Sequence, residues 1–366
     1  MRILHVAESV KGGCGTYLNQ VVRAQLAGSS VSDVRVVVPE AHALQIPDIP
    51  WDRRALFTGG SRSVASFAAL WKVTARKVEA FTPDCIHLHS TFAGAIGRIG
   101  FAFRSARPPI VYCAHGWSFD MAGSPARRTA MAFAERLLSH ACETVVAISD
   151  YERRRGIAAG IAEDRIVSVL NGMADIPPPP LPRTGGVRKL LFIGRLDRQK
   201  GIDLLLQAVD GLADRVELHI VGSAVVGDQT PIVDDRPGVT LLGWCDEASI
   251  REQLAWADCV VVPSRWEGFG LVAVEAMRAG RAVVATDVGG LPEVVAHGRT
   301  GWLVPPEDPT ALRAQILSVT DEMLATAGAA GRRRYLERFT IERTIEGLDR
   351  VYRAAIAARR VVPAYA

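Results

Sequence analysis

The chain contains no stretch approaching the roughly eighteen uncharged apolar residues that a membrane span needs. Glu8 also follows the apolar start at residues 3–7 too closely for a secretion signal, so a cytoplasmic location is expected. Its six cysteines (Cys14, Cys85, Cys113, Cys142, Cys245 and Cys259) include no C-x-x-C pair, which removes the usual redox and zinc patterns. They read as reduced, small core residues. D-x-D is also missing, and with it the most obvious closely spaced carboxylates for a bridging metal; no metal ligand is assigned. The first glycine loop, KGGCGT at 11–16, has Leu18 where the G-x-G-x-x-G fingerprint needs its last glycine. That argues against a nicotinamide enzyme.

What is present describes a two-domain α/β protein. With 366 residues, 49% apolar and 22% charged, the chain can bury two separate cores. Near-continuous apolar runs at 3–7, 34–39, 85–89, 110–115, 144–149 and 166–170 alternate with helical stretches, the first helix beginning near Thr16. A second series occupies 189–194, 216–222, 239–243, 259–263 and 282–286. Such runs are strands of parallel sheets covered on both faces, one doubly wound domain in each half. Pro177 to Pro180 form a stiff segment unsuited to helix or central strand, so the domains are placed at 1–178 and 184–340. Ligands of these sheets bind beyond the carboxyl ends of the strands. Two such domains facing one another would line a shared cleft.

Charge is uneven. Up to Pro180 there are 20 Lys/Arg against 15 Asp/Glu, and beyond it 23 against 24. The positive first half suits an anionic lipid surface or a phosphate-bearing acceptor, or is simply a solvated arginine-rich surface. Nothing points to a nucleic acid.

The richest motif is EGFGLVAVE at 267–275. Gly268 and Gly270 allow close backbone approach, and a short buried helix starting at Leu271 and closed by Gly280 would set the amides of Phe269, Gly270 and Leu271 at its N-terminus. That end attracts anions and hydroxyl-rich ligands. Glu275, one turn into the helix, reaches toward vicinal hydroxyls, and Glu267 lies ahead of the helix over the same pocket. GRLDRQKG at 194–201 links the strand at 190–193 to a helix at 202–209. Arg195 supplies a rigid donor fork and Lys200 a mobile charge, suited to two adjacent phosphates.

These blocks together resemble the retaining glycosyltransferases of family 4, with the GT-B fold, most strongly from about residue 190 to 305. The resemblance implies that Arg195 and Lys200 hold the diphosphate of a nucleotide sugar beside Gly194, Gly268, Phe269, Gly270 and Leu271. It implies that Glu275 holds ribose hydroxyls, Glu267 a sugar hydroxyl, and His115, in a His-Gly pair with Gly116, the transferred sugar. Gly12 and Gly13 would approach from the first domain, and Trp244 would lie near the base, to stack or merely to pack. The family's last helix, about 341–360 here, is expected to pack back on the first domain. No cofactor is implied beyond the donor; the acceptor would be a hydroxyl, lipid-linked or on a polysaccharide, reached from the inner membrane face. A nucleotide-sugar epimerase or hydrolase, or a non-catalytic sugar-nucleotide binding module, are the rival readings.

Remaining features read as scaffold. Ser149 and Asn171 would cap a helix or fix a turn. Residues 289–293 and 298–305 read as turns. His87 and His89 are taken to point to opposite faces of one strand, leaving only one available for an acceptor.

Overall fold

The computed structural model describes residues 1–28, 30–59, 63–104, 106–121, 123–180, 186–223 and 236–361, the side chains of 360 and 361 excepted. The chain divides into two compact units, residues 1–174 with the closing helix, and residues 175–340. The division falls just ahead of the tetraproline.

Unit one runs β1 (Arg2–Ala7), α1 (Gly13–Ala27), β2 (Asp33–Pro39), β3 (Arg54–Phe57), α2 (Val64–Phe81), β4 (Cys85–His89), α3 (Thr91–Ala102), β5 (Ile110–Cys113), α4 (Pro125–Leu138), β6 (Thr144–Ala147), α5 (Asp150–Ala158) and β7 (Ile166–Ser168). Among the described residues its strands form one parallel sheet in the order β3-β2-β1-β4-β5-β6-β7. Unit two runs β8 (Arg188–Ile193), α6 (Ile202–Val209), β9 (Val216–Val221), β10 (Val239–Gly243), α7 (Glu247–Trp256), β11 (Cys259–Val262), α8 (Leu271–Arg278), β12 (Ala282–Thr286), α9 (Leu291–Val294), β13 (Gly301–Val304), α10 (Pro309–Ser318) and α11 (Asp321–Arg338). Its sheet, also parallel, has the order β10-β9-β8-β11-β12-β13. The last helix, α12 (Ile341–Val361), belongs to unit one and packs on α1.

Each sheet reverses its strand order once, between β1 and β4 in unit one and between β8 and β11 in unit two. At such a point neighbouring loops diverge and leave a crevice beyond the strand ends. The strands are apolar because helices cover both faces; Leu190, Phe192, Leu218, Ile220, Val261 and Val284 belong to one buried cluster of unit two.

Three local expectations need correction. Residues 298–305 are not only turns, since Gly301–Val304 forms edge strand β13, paired with β12. A Cβ on Gly301 would meet the Val283 carbonyl oxygen at 2.1 Å, so glycine is what lets this short segment approach its neighbour. Helix α1 begins at Gly13 rather than near Thr16. The Gly12 carbonyl accepts from the Gly15 and Thr16 amides, and a Cβ on Gly15 would collide with Val10 O at 2.0 Å. Close packing there overrides glycine's poor helix propensity. Finally, His87 and His89 share one face of β4, as strand positions two apart must, and their rings lie 4.1 Å apart.

Candidate active site

Unit two brings the 194–201 and 267–275 segments together at its reversal point, in the loops that leave β8 and β11. Lys200 Nζ donates to Glu267 Oε2 at 2.5 Å, with 19% and 13% of the two side chains exposed. Ser264 Oγ donates to the same carboxylate oxygen at 3.3 Å. Arg195 Nη2 contacts Gln199 Oε1 at 2.6 Å and the buried Asp197 at 2.9 Å, while Asp197 Oδ1 accepts the Lys200 amide at 3.0 Å. Gln199 in turn donates to the Trp266 carbonyl at 3.1 Å. Both cations are therefore held by the loops that carry them.

Backbone approach is close here. Gly289 has φ +58, and a Cβ on it would lie 1.8 Å from Glu267 O; the Gly290 amide donates to that same carbonyl at 3.0 Å. Gly201, at φ +67, passes the Pro263 carbonyl so closely that a Cβ would be 2.0 Å away. Residues 289–293 thus brace the Glu267 loop. Helix α8 starts at Leu271 behind Gly270, which has φ +104. The amides of Phe269, Gly270 and Leu271 donate to no protein group among the described residues, leaving donors at the positive end of the helix. Phe269 is buried, edge-on to Phe339 at 5.8 Å between centroids, and fixes the entry to α8 from below.

Glu275 is half-buried, one turn into α8. Burial pushes its carboxyl above the usual range, only partly countered by Arg278. Among the described residues no side chain or amide hydrogen-bonds this carboxylate. Gly194 directly follows β8, and a Cβ there would touch Lys200 Cγ at 3.4 Å. Trp244, beyond edge strand β10, is 69% exposed, so an ordinary packing role is not what it has.

A brace around this loop has no counterpart in the sequence motifs. Arg265 forms a bidentate pair with Asp203 of α6, at 2.8 and 2.7 Å, and donates to Glu307 at 3.0 Å. The guanidinium holds the Asp203 carboxyl below its usual range. Its position directly before Trp266 and Glu267 was the only local signal.

Unit one places Gly12 and Gly13 after β1, at its own reversal point, and His115 after β5, the strand that pairs with β4. Gly12 is the N-cap of α1 with φ 65 and open space around it, and Gly13 is the first helical residue. His115 follows β5 in a left-handed conformation, φ 55, uncommon for a residue with a Cβ, and Gly116 continues it at φ 109. Its ring is half-buried, edge-on to Tyr17 at 4.6 Å. Behind it lie three wholly buried imidazoles, His5, His87 and His89. One nitrogen from each of these three lies within 4.8 Å of the others, which makes them the metal-capable group among the described residues. Burial depresses all four imidazoles, His5 to about 4 and His115 to about 3. Ser149 caps α5 by accepting the Glu152 amide at 3.0 Å.

Two parallel, doubly wound units in one chain, each with its charged or polar loops at the reversal point, define the GT-B class. A solved sucrose-phosphate synthase from Thermosynechococcus elongatus matches at TM-score 0.79 and 21% identity, covering 98% of this chain and 100% of that one. Anabaena HepE, crystallised with UDP-glucose, matches at TM-score 0.77 and 23% identity over 97% and 100%. Residues 187–322 match the family described as glycosyl transferases group 1, and residues 12–172 the glycosyl transferase 4-like domain. The chain is 34% identical over 322 residues to an uncharacterized 41.2 kDa protein in the cps region of Klebsiella pneumoniae, covering 84% of this chain and 87% of that protein. It is 30% identical over 313 residues to the alpha-maltose-1-phosphate synthase of Mycolicibacterium smegmatis, covering 74% and 79%. This chain belongs to the group 1, family-4-like glycosyltransferases.

Proposed function

We propose that the chain moves a hexose from a nucleotide diphosphate sugar to a hydroxyl acceptor, keeping the anomeric configuration and using no metal. The observation that carries this reading is the half-buried Glu275 carboxylate, unmatched by any protein donor among the described residues, one turn inside a helix whose first amides are also unmatched. A ribose offers two vicinal hydroxyls to the carboxylate, and a diphosphate offers oxygens to the amides. Arg195 and Lys200 then stabilise negative charge on the leaving diphosphate, the task a metal performs elsewhere. Glu267, released from Lys200, accepts from a sugar hydroxyl, and His115 is the residue of unit one assigned to contact the transferred sugar. With no nucleophile assigned, the departing phosphate takes the acceptor's proton on the face it leaves. HepE, solved with UDP-glucose, and relatives that include a phosphatidyl-myo-inositol mannosyltransferase support a nucleotide-sugar donor and a polyol or sugar acceptor.

A thermal-shift screen with UDP, GDP, ADP and their sugars tests the donor site. One nucleotide at a hundred times its Kd is expected to stabilise the fold by about 2.7 kcal/mol. Product analysis with donor alone and with added acceptor separates transfer from epimerisation, hydrolysis or binding without turnover. Absence of any nucleotide shift would remove the reading.

A lipid-linked acceptor agrees with the surface of α4. No described helix is long and apolar enough to cross a membrane. Yet Phe133 and Leu137 of α4 are more than half exposed, as are Ile99 and Phe103 at the end of α3, and the α4 surface also carries Arg127, Arg128 and Arg136. Apolar side chains among arginines fit an anionic bilayer surface. Co-sedimentation with phosphatidylglycerol vesicles is expected at low salt and much reduced at high salt, and Phe133→Ser with Leu137→Ser should release the protein further. Equal binding to neutral vesicles would contradict this assignment.

A further inference from the structure

We propose that Gln25, His5 and His89 form a hydrogen-bond line that holds His115 in a single tautomer, with Nε2 protonated and the Nδ1 lone pair left to accept a hydrogen bond from a substrate hydroxyl. His5 and His89 are then positioning residues, acting through His115. The role given to His115 rests on the proposed transfer reaction; the line itself rests on geometry.

Each link is a short contact between nitrogens or to an amide oxygen. Gln25 Oε1 lies 2.9 Å from His5 Nε2, His5 Nδ1 lies 2.8 Å from His89 Nε2, and His89 Nδ1 lies 2.9 Å from His115 Nε2. Three elements and one strand-end loop contribute: α1 supplies Gln25, β1 His5, β4 His89, and the segment after β5 His115. The line begins in the core, where Gln25, His5 and His89 are almost wholly buried, and ends at the half-buried His115.

The direction of the protons follows from counting them. A neutral imidazole carries one N–H and one lone pair. Burial depresses all of these imidazoles, so each is neutral near pH 7. An amide oxygen only accepts, so His5 must donate from Nε2 to Gln25 and accept at Nδ1. His89 must then donate from Nε2 to His5 and accept at Nδ1. His115 is left to donate from Nε2 to His89, which leaves Nδ1 as an acceptor. Among the described residues no protein group hydrogen-bonds that Nδ1. Bonding to His89 and the edge-on Tyr17 ring also help hold His115 in its left-handed backbone state. His87 stands beside the line, its Nδ1 bonded to the Tyr352 hydroxyl at 2.8 Å.

The test is a long-range proton–nitrogen NMR correlation on protein labelled at its eight histidines, which reads each ring's tautomer directly. The wild type is expected to show His115 protonated at Nε2 only. His5→Leu, a change that does not touch His115, is expected to leave His115 as a mixture of both tautomers, because the line then has no fixed end. His89→Leu should do the same, while His89→Asn, which keeps an oxygen near the Nδ1 position, should restore the single tautomer. His115 protonated at Nδ1 in the wild type would overturn the proposal, as would His115 signals unmoved by His5→Leu. So would zinc, added in equal amount, that displaces the protons of His5 and His89, since a metal would take the same lone pairs. In transfer assays His5→Leu is expected to lower kcat about tenfold with little change in donor KM. If the tautomers behave as described while kcat holds, the line stands and the sugar-contacting role of His115 falls instead.

Discussion

Lys200→Ala is expected to lower the rate of sugar transfer by two to three orders of magnitude, about what is lost when one preorganised donor is removed from a developing anion. Lys200 and Glu267 sit in loops leaving β8 and β11, 2.5 Å apart and mostly shielded from water. In the resting protein each satisfies the other, and Ser264 and the Lys200 amide's bond to Asp197 fix the geometry. In the proposed reaction the donor's diphosphate would compete with Glu267 for the ammonium. Lys200→Ala should therefore weaken nucleoside diphosphate binding, whereas Glu267→Gln, which removes the competing charge, should strengthen it while still slowing transfer. Calorimetry with the nucleotide selected by thermal shift checks both signs. The same direction for both variants would mean that the pair is a structural brace, and wild-type turnover in Lys200→Ala would remove the cation from the mechanism.

The second large effect is a loss of stability in mild acid. His5 is wholly buried and titrates at about 4 in the folded protein, against 6.5 when exposed. Above pH 6.5 neither state binds its proton and nothing is lost. As pH falls below 6.5 the unfolded chain takes up the proton and the folded protein does not, so stability declines until the folded value is reached. By pH 4 His5 alone removes about 3 kcal/mol. His87 and His89 are also depressed well below the ordinary value, and His115 to about 3, for the same leading reason, and no carboxylate offsets the burial of any of the four. The raised carboxyls of Asp258 and Glu275 act in the opposite sense, but both are only half-buried. The urea midpoint is expected to be constant from pH 8 to 7 and to fall steeply between pH 6 and 5. His5→Leu should flatten that slope. A midpoint unchanged down to pH 5 would show that the folded core accepts these protons.

Much of the site was readable because its motifs are local. Residues 194–201 and 267–275 each lie between an apolar strand and a helix, and the expected helices at 202–209 and from Leu271 agree with α6 and α8. Glycine spacing announced the tight loops. The brace was not readable, since Arg265 and Asp203 are 62 positions apart and either residue alone is an ordinary surface charge. No local motif marked His5, and assigning His87 and His89 to opposite faces hid the cluster. Strand periodicity places them together, and the parallel pairing of β1 with β4 sets His5 opposite His87.

By itself the sequence determined the two α/β units, all their strands but the edge strands β3 and β13, and the residue types at each loop, because apolar periodicity and glycine geometry act over a few neighbouring residues. Only the tertiary structure decided which loops meet: strand order is a matter of long-range pairing, and it alone brings Lys200 to Glu267 across 67 positions and His5 to His89 across 84. Local patterns carry no information about those separations, since the free energy that selects them comes from burying whole sheet faces at once.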